Sequence, residues 1–338
     1  MRQIWIPKIG KPEVLEVREA PIPEPKEGEV CIRVSAAGVN FADILARMGL
    51  YPDAPALPTV VGYEVSGVIN QVGPGVENFA PGDQVLALTT FGGYSEMVVA
   101  RTAQVFRLPE NLPFDKAAAI PVNYLTAWLM LIHLGNVQEG DRVLVHAAAG
   151  GVGLAALQLC NWRGAQVIGT ASASKHQRLK EMGMAHCIDY HTQDFEQEVK
   201  ALTNGEGVDI ALDAVGGESF GKSYRCLAPM GRLFVFGLSS LASGKKRSLW
   251  SVFSGMRKMS AFKPLSLIQR NRGVIGINIG HLWHQERKLK QAMDAILSLV
   301  DEGKLDPVVD KCFPFQQAAA AHDYIQSHKN FGKVLLVP

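Results

Sequence analysis

Residues 143–160, VLVHAAAGGVGLAALQLC, decide the fold. A buried apolar run, VLVHA, meets a glycine cluster, AAAGGVG, and passes directly into an Ala/Leu-rich stretch at helical spacing. The pattern reads as strand, tight turn and helix. Such a turn aims backbone N–H groups and a helix N-terminus at an anion, the usual seat of a dinucleotide pyrophosphate. The spacing, Ala147-x-x-Gly150-x-x-Gly153, is a variant of the dinucleotide fingerprint. Cβ atoms at the turn would keep the backbone away from phosphates, so glycine is expected there. Ala149, Gly150, Gly151, Val152 and Gly153 are the expected phosphate contacts.

The following strand speaks to the choice of nucleotide. An NAD site usually places Asp or Glu about 20 residues beyond the glycines, on the ribose 2′-hydroxyl. Here AQVIGTA (165–171) runs into Ser172-Ala173-Ser174-Lys175-His176, and no acid occurs before Glu181. Lys175 and Arg178 supply cations, and Ser172 and Ser174 hydroxyls, suited to a 2′-phosphate. NADPH is therefore the expected cofactor, although Ser174 also suits a cap on the next helix.

At 338 residues, two domains are expected. A net charge of +2 with 20% charged residues gives no argument for nucleic acid. The five cysteines (31, 160, 187, 226 and 312) are scattered, with no C-x-x-C pair. That usage suits a reducing compartment, and a cytoplasmic protein is expected. No apolar signal segment opens the chain. Residues 117–138 lack Asp, Glu, Lys and Arg, but Pro121, Asn123, Tyr124, His133 and Asn136 interrupt them, which favours a buried helix over a membrane span.

Working outward, residues 29–40, 60–73 and 81–88 read as strands in a Gly/Pro/Val-rich first part. From about 122 strands and helices alternate, with strands expected at 142–147, 165–171, 186–190, 208–215, 232–237 and 274–280. Helices are expected at 151–162, 174–183, 194–203, 217–227 and 284–302. Regular alternation argues for an α/β fold, a doubly wound parallel Rossmann sheet. The expected organisation is a β-rich domain from 1–121 and 306–338 with the dinucleotide domain, 122–305, inserted.

The order of these pieces resembles the zinc-free quinone oxidoreductase branch of the medium-chain dehydrogenases/reductases, whose β-rich catalytic domain is GroES-like. The resemblance covers essentially the whole chain. It rests on AAGVNFADILARMGLYP (36–52), GYEVSGVINQVGPGV (62–76), PGDQV, LTAW (125–128), GDRVLVHAAAGGVG, IALDAVGG (210–217) and GKVLLVP. Within the branch, AIPVNYLTAW, TASASKH and IDYHTQDF are most similar to vesicle amine transport protein homologues. Asn161 departs from the Lys, Arg or Ser usual there. Zinc-dependent relatives carry a metal-binding Cys in the segment matching GVNFAD and His-Glu where this chain has Tyr63-Glu64. They also carry a four-cysteine lobe after the segment matching SEMVVA, where this chain continues RTAQVFRLPENLP. No metal site is therefore expected, and His281 and His284 read as a stray pair on a helix surface.

Without a metal, alkoxide chemistry lacks its stabiliser, whereas a quinone or α,β-unsaturated carbonyl delocalises charge and needs hydrogen-bond donors alone. The resemblance thus implies an NADPH-dependent reductase of such acceptors. It places Asn40, Tyr51 and Tyr63 at the catalytic side. Asn40 also reads as a turn residue, Tyr51 as a loop anchor beside Pro52, Asp43 as a structural acid and Glu64 as a buried partner. For the cofactor it adds Asn123 and Thr126 at the nicotinamide, Tyr190 beside Lys175 at the adenosine phosphate, and Lys333, which is otherwise solvated. Val215, Gly216, Phe236, Gly237 and Asn278 end later strands on the same edge.

A second reading, a lipid- or membrane-interaction protein that keeps the reductase fold, draws on residues 241–272. They hold eight Lys or Arg and no acid, interleaved with Trp250, Phe253, Met256, Met259 and Phe262. The favoured reading of the same residues is a lid or dimer-contact segment over the active cleft. The apolar run VIGINIG (274–280) reads as a bare edge strand, so a homodimer is expected.

Overall fold

A computed structural model describes residues 1–242 and 261–338. The interleaved aromatic and basic stretch 243–260 lies outside the described residues. The chain divides into two compact units, one of Met1–Leu125 with Ile279–Pro338 and one holding, of the described residues, 126–242 and 261–278.

The second unit is a six-stranded parallel sheet in the order His186–Asp189, Gln166–Ala171, Arg142–Val145, Val208–Asp213, Leu227–Val235, Gly273–Gly276. The chain winds outward from Arg142–Val145 in one direction, then returns to its other side at Val208–Asp213. Ligands bind outside the carboxyl ends of the strands at such a reversal. Leu144, Ile168, Ile188, Val208, Ala211 and Leu233 are buried together, which is why these strands read as continuous apolar runs. The expected doubly wound α/β sheet is present.

All six strands differ from their expected limits, four of them by one or two residues at an end and two by more. Leu227–Val235 starts five residues before the expected 232, across Met230, whose φ of 67° and exposed side chain disguise it as a turn. The edge strand stops at Gly276, where 274–280 was expected. Ile277 N still reaches Val235 O at 3.0 Å, but Val235 ends the neighbouring strand and no ladder remains beyond it. The charge-free stretch 117–138 is not one helix: it opens on the end of Phe114–Ala118 and continues as Pro121–Trp128 and a π-turn, Leu129–His133. Among the described residues no helix is long and apolar enough to cross a membrane.

The first unit is built around Glu29–Val39, an 11-residue strand. It pairs antiparallel with Glu64–Val72, Met97–Arg101 and, at its far end, Lys333–Val337. The last of these brings the chain's C-terminal strand beside residues from its first forty. The helix Glu286–Asp301 packs on Thr102–Gln104 and joins this unit, whereas the sequence reading returned to it at 306. Its buried Leu289, Ala292, Met293 and Ile296 supply the apolar face, and Arg101 and Glu286 pair at 3.2 Å.

Gly153 anchors the first turn of the helix Gly151–Arg163 against the preceding loop. A Cβ there would stand 2.6 Å from both Ala147 O and Ala148 O. Close packing of the helix on the loop after Arg142–Val145 thus requires this glycine, where the sequence reading invoked phosphate approach. Gly153→Ala is expected to destabilise the protein by about 1–3 kcal/mol, typical of overpacking. A lowered urea midpoint checks it, and an unchanged midpoint counts against the packing role.

Candidate active site

In the dinucleotide unit, every strand of the parallel sheet delivers expected residues to one edge. Ala149, Gly150, Gly151, Val152 and Gly153 follow Arg142–Val145; Ser172 and Lys175 follow Gln166–Ala171; Tyr190 follows His186–Asp189. Val215 follows Val208–Asp213, Phe236 and Gly237 follow Leu227–Val235, and Asn278 lies two residues past Gly276. The first amides of the helix Gly151–Arg163 lack intrahelical acceptors by the geometry of any helix and face this edge. Ala147, in the fingerprint's first position, has a φ of 50°, a conformation glycine adopts more readily. Ser172 and Lys175 are half-buried in a 3-10 turn, with Ser172 Oγ 3.4 Å from Ser174 Oγ. Tyr190 is 45% exposed, its ring 4.3 Å from that of His191.

Two buried residues beneath this edge escaped the sequence reading. Asp213 accepts from Val215 N at 2.8 Å, Gly216 N at 3.3 Å and the hydroxyls of Ser219 and Ser223, both at 2.7 Å. It therefore fixes the loop that carries Val215. His146 bridges Thr170 Oγ1 at 3.1 Å and Ser223 Oγ at 2.9 Å, tying the ends of two strands to the helix Glu218–Arg225. Burial lowers its pKa, with Asp213 opposing. The signal lay in the sequence as an Asp and a His at strand ends, but each is common there.

In the first unit, the central strand ends at Gly38–Val39 between two neighbours. Leu335 pairs with Gly38 on one side, and Val65 with Ala37 on the other. Lys333 and Glu64 consequently meet over Gly38, where a Cβ would lie 2.5 Å from Glu64 Oε1 and 2.7 Å from Lys333 Cε. Lys333 Nζ donates to Glu64 Oε1 and to Asn40 Oδ1 at 2.7 Å. Asn40 Nδ2 donates to Glu64 Oε1 at 2.9 Å, and Val122 N donates to Glu64 Oε2 at 2.7 Å. Glu64 and Lys333 are 0% and 2% exposed.

These contacts revise the sequence reading at several positions. Lys333 is not solvated; its ammonium is committed to Asn40 and Glu64. The Asn40 amide is held in one orientation, since its oxygen faces an ammonium and its nitrogen a carboxylate. The second Nδ2 hydrogen has Gly38 O at 3.5 Å, too far for a strong bond. Tyr63 is buried, its ring 6.2 Å from Tyr51 and 5.3 Å from Phe91. Burial, followed by the charge of Asp43, raises its phenol far above the ordinary value. It stays neutral and is ill-suited to titrate. Asn123 is buried, with Nδ2 donating to Ala119 O at 3.1 Å, so its amide is turned onto its own helix start. Thr126 lies buried in Pro121–Trp128. His281 and His284 precede the helix Glu286–Asp301 instead of lying on it, and His281 Nε2 is 2.9 Å from Asp53 Oδ2.

Removing one partner of a buried ion pair leaves the other charge stranded, at a cost of about 3–5 kcal/mol. Lys333→Met alone is expected to fall in that range, and Lys333→Met with Glu64→Gln to cost clearly less than the two single changes added. Urea unfolding of the four proteins in the cycle checks this; additive losses would dissolve the pair as an energetic unit.

Comparison with known proteins now places the chain. A family model described as zinc-binding dehydrogenase matches residues 182–336, and one described as alcohol dehydrogenase GroES-like domain matches 26–110. The synaptic vesicle membrane protein VAT-1 homolog of Rattus norvegicus is 43% identical over 325 residues, 96% of this chain and 80% of that protein. The structure of Escherichia coli quinone oxidoreductase complexed with NADPH superposes with a TM-score of 0.89 at 30% identity, covering 100% of both chains. That of CurK enoyl reductase gives 0.86 at 30% identity, covering 99% and 98%. The zinc in the first model's description does not fit the residues here: Glu64 already serves an ammonium and two N–H donors. Among the described residues no group of three or more His, Cys, Asp or Glu is placed to hold a metal ion. On these likenesses the chain belongs to the medium-chain dehydrogenase/reductase family, close to the VAT-1 homologues and the quinone oxidoreductases.

Proposed function

We propose that this protein is an NADPH-dependent reductase of quinones or α,β-unsaturated carbonyls that works without a metal. The observation that carries the proposal is the Asn40 amide, clamped between Lys333 and Glu64 with one N–H weakly engaged. A neutral, fixed donor of this kind suits an acceptor oxygen whose developing charge spreads over a conjugated system. It is a poor substitute for the strong electrophile that a simple ketone needs. Bound NADPH supplies hydride. The protein's share is placement: Asn40 with the half-buried Tyr51 at the acceptor oxygen, and the glycine turn at the pyrophosphate. Ser172 and Lys175 are the residues offered to the 2′-phosphate, on a segment that carries no Asp or Glu before Glu181.

NADPH is accordingly expected to bind more tightly than NADH. A lost charge-assisted phosphate contact costs about 1.5–3 kcal/mol, roughly ten- to a hundred-fold in affinity. Lys175→Ala should weaken NADPH by that factor and leave NADH unchanged; equal binding of both cofactors by the unaltered protein would remove the assignment. Turnover is tested by following NADPH oxidation against quinones, enones, enoyl thioesters and simple ketones. The first two classes are expected to react, before and after chelator treatment. A protein that reduces simple ketones best, or loses activity to the chelator, would contradict the proposal.

A second reading has one specific support. The helix Pro264–Arg270 exposes Leu265 at 74% and Ile268 at 71%, one turn apart, flanked by Lys263 and Arg270. An apolar stripe rimmed by cations fits an anionic lipid surface. The edge strand Gly273–Gly276, adjacent in sequence, fits equally well as the seat of a homodimer. Light scattering near 36.7 kDa, the monomer mass, would refute the dimer. Flotation with anionic but not neutral vesicles would favour the lipid reading.

A further inference from the structure

A chain of buried polar groups runs through the first unit and takes no part in the contacts described so far. Arg47, at the end of the helix Phe41–Arg47, is 1% exposed, and its Nη1 lies 3.4 Å from His322 Nδ1. His322 Nε2 lies 3.3 Å from Tyr94 Oη, and Tyr94 donates to Asp43 Oδ2 at 3.0 Å. His322, Tyr94 and Asp43 are 0% exposed. The four residues come from three places in the sequence and link a buried cation to a buried carboxylate through two neutral groups.

The direction of every bond follows from donor chemistry. A guanidinium only donates, so His322 Nδ1 accepts and its hydrogen resides on Nε2. That N–H is given to the Tyr94 oxygen, which leaves the Tyr94 hydrogen for Asp43. A protonated imidazole would turn a second donor on Arg47; burial and the Arg47 charge hold the His322 pKa well below its usual value. At the far end the Asp43 carboxylate accepts from Asn40 N at 2.8 Å and Gly62 N at 3.1 Å. Those amides begin the two segments that carry Asn40 and, one and two residues beyond Gly62, Tyr63 and Glu64.

We infer that Asp43 is a positioning residue of the candidate active site: its carboxylate, fed by the one-way Arg47–His322–Tyr94 relay, clamps the backbone at Asn40 and Gly62. The inference rests on the reductase reading for the word active. Protonating Oδ2 would turn its acceptor site into a donor facing Tyr94. The Tyr94 oxygen would then receive two hydrogens and have no acceptor for its own, so the relay fits the ionised carboxylate alone. Around Asp43 stand Tyr63 and Glu64 from the segment after Gly62, Tyr94 from its loop, Lys333 from the last strand, and Arg47 and His322 along the relay. Burial lifts the Asp43 carboxyl to about 7 against these donors and the Lys333 charge. The clamp should therefore loosen as pH falls through neutrality. Stability has the opposite sense: an acid raised by folding contributes most when protonated, and that contribution is lost as pH rises from about 4 through about 7.

Residue-resolved amide exchange on the whole protein, corrected for intrinsic pH dependence, tests the clamp directly. Protection of the Asn40 and Gly62 amides is expected to drop about ten-fold or more between pH 8 and pH 6. Tyr94→Phe, which removes a donor to the carboxylate and keeps the ring, should move that drop to higher pH; Asp43→Asn should abolish its pH dependence. Where wild-type kcat for quinone reduction is measured, its pH midpoint should move with the exchange midpoint in Tyr94→Phe. Protection that is flat from pH 6 to 8 and unmoved in Tyr94→Phe would overturn the inference. Absence of quinone or enone reduction in the wild type would instead overturn the reductase reading, with the exchange result still judging the clamp.

Discussion

The Glu64 carboxylate is the point on which the first unit's functional geometry depends. It is fully buried, and three donors converge on it: an ammonium from the last strand, an amide from the segment after the central strand, and the backbone N–H of Val122. A buried charge is tolerated only when its lone pairs are satisfied, so each donor is constrained by the need of the others. The strand register creates the meeting point. Glu64 and Lys333 flank the end of the same central strand, and Gly38 leaves the space between them empty of side chain.

This geometry gives a chemical direction to Asn40. Its oxygen is neutralised by Lys333 and one N–H by Glu64, so what remains is a single oriented donor of modest strength. Nature's alternatives at such a position, a Lewis acid or a cationic donor, stabilise a localised alkoxide. Here the ammonium is spent internally on Glu64 and Asn40. The arrangement suits acceptors that disperse charge themselves, and under the proposed function a preference for conjugated carbonyls would follow from the same contacts that stabilise the fold.

The sequence made the dinucleotide unit legible because its signals are local. Apolar runs of strand length, a glycine turn and helical spacing each sit within a few residues, and the sheet edge follows from their alternation. Met230 and the early end at Gly276 were missed because a left-handed methionine and the length of a neighbouring strand leave no local trace. The candidate site was legible as a set of residues and illegible as an arrangement. Asn40 and Lys333 are separated by 293 residues, and nothing short of the strand register reveals that Lys333 faces inward. The same holds for His322 and Arg47, 275 residues apart, and for Asp213, whose work is to satisfy backbone groups in its own loop.

The most direct measurement of the account is kcat for NADPH oxidation by a naphthoquinone in Asn40→Ala beside the unaltered protein, with NADPH affinity measured in both. Removing one preorganised donor from a developing oxyanion typically costs about 10²–10³ in kcat. The account predicts a loss of that order with NADPH affinity retained. Turnover by Asn40→Ala equal to that of the unaltered protein would contradict it.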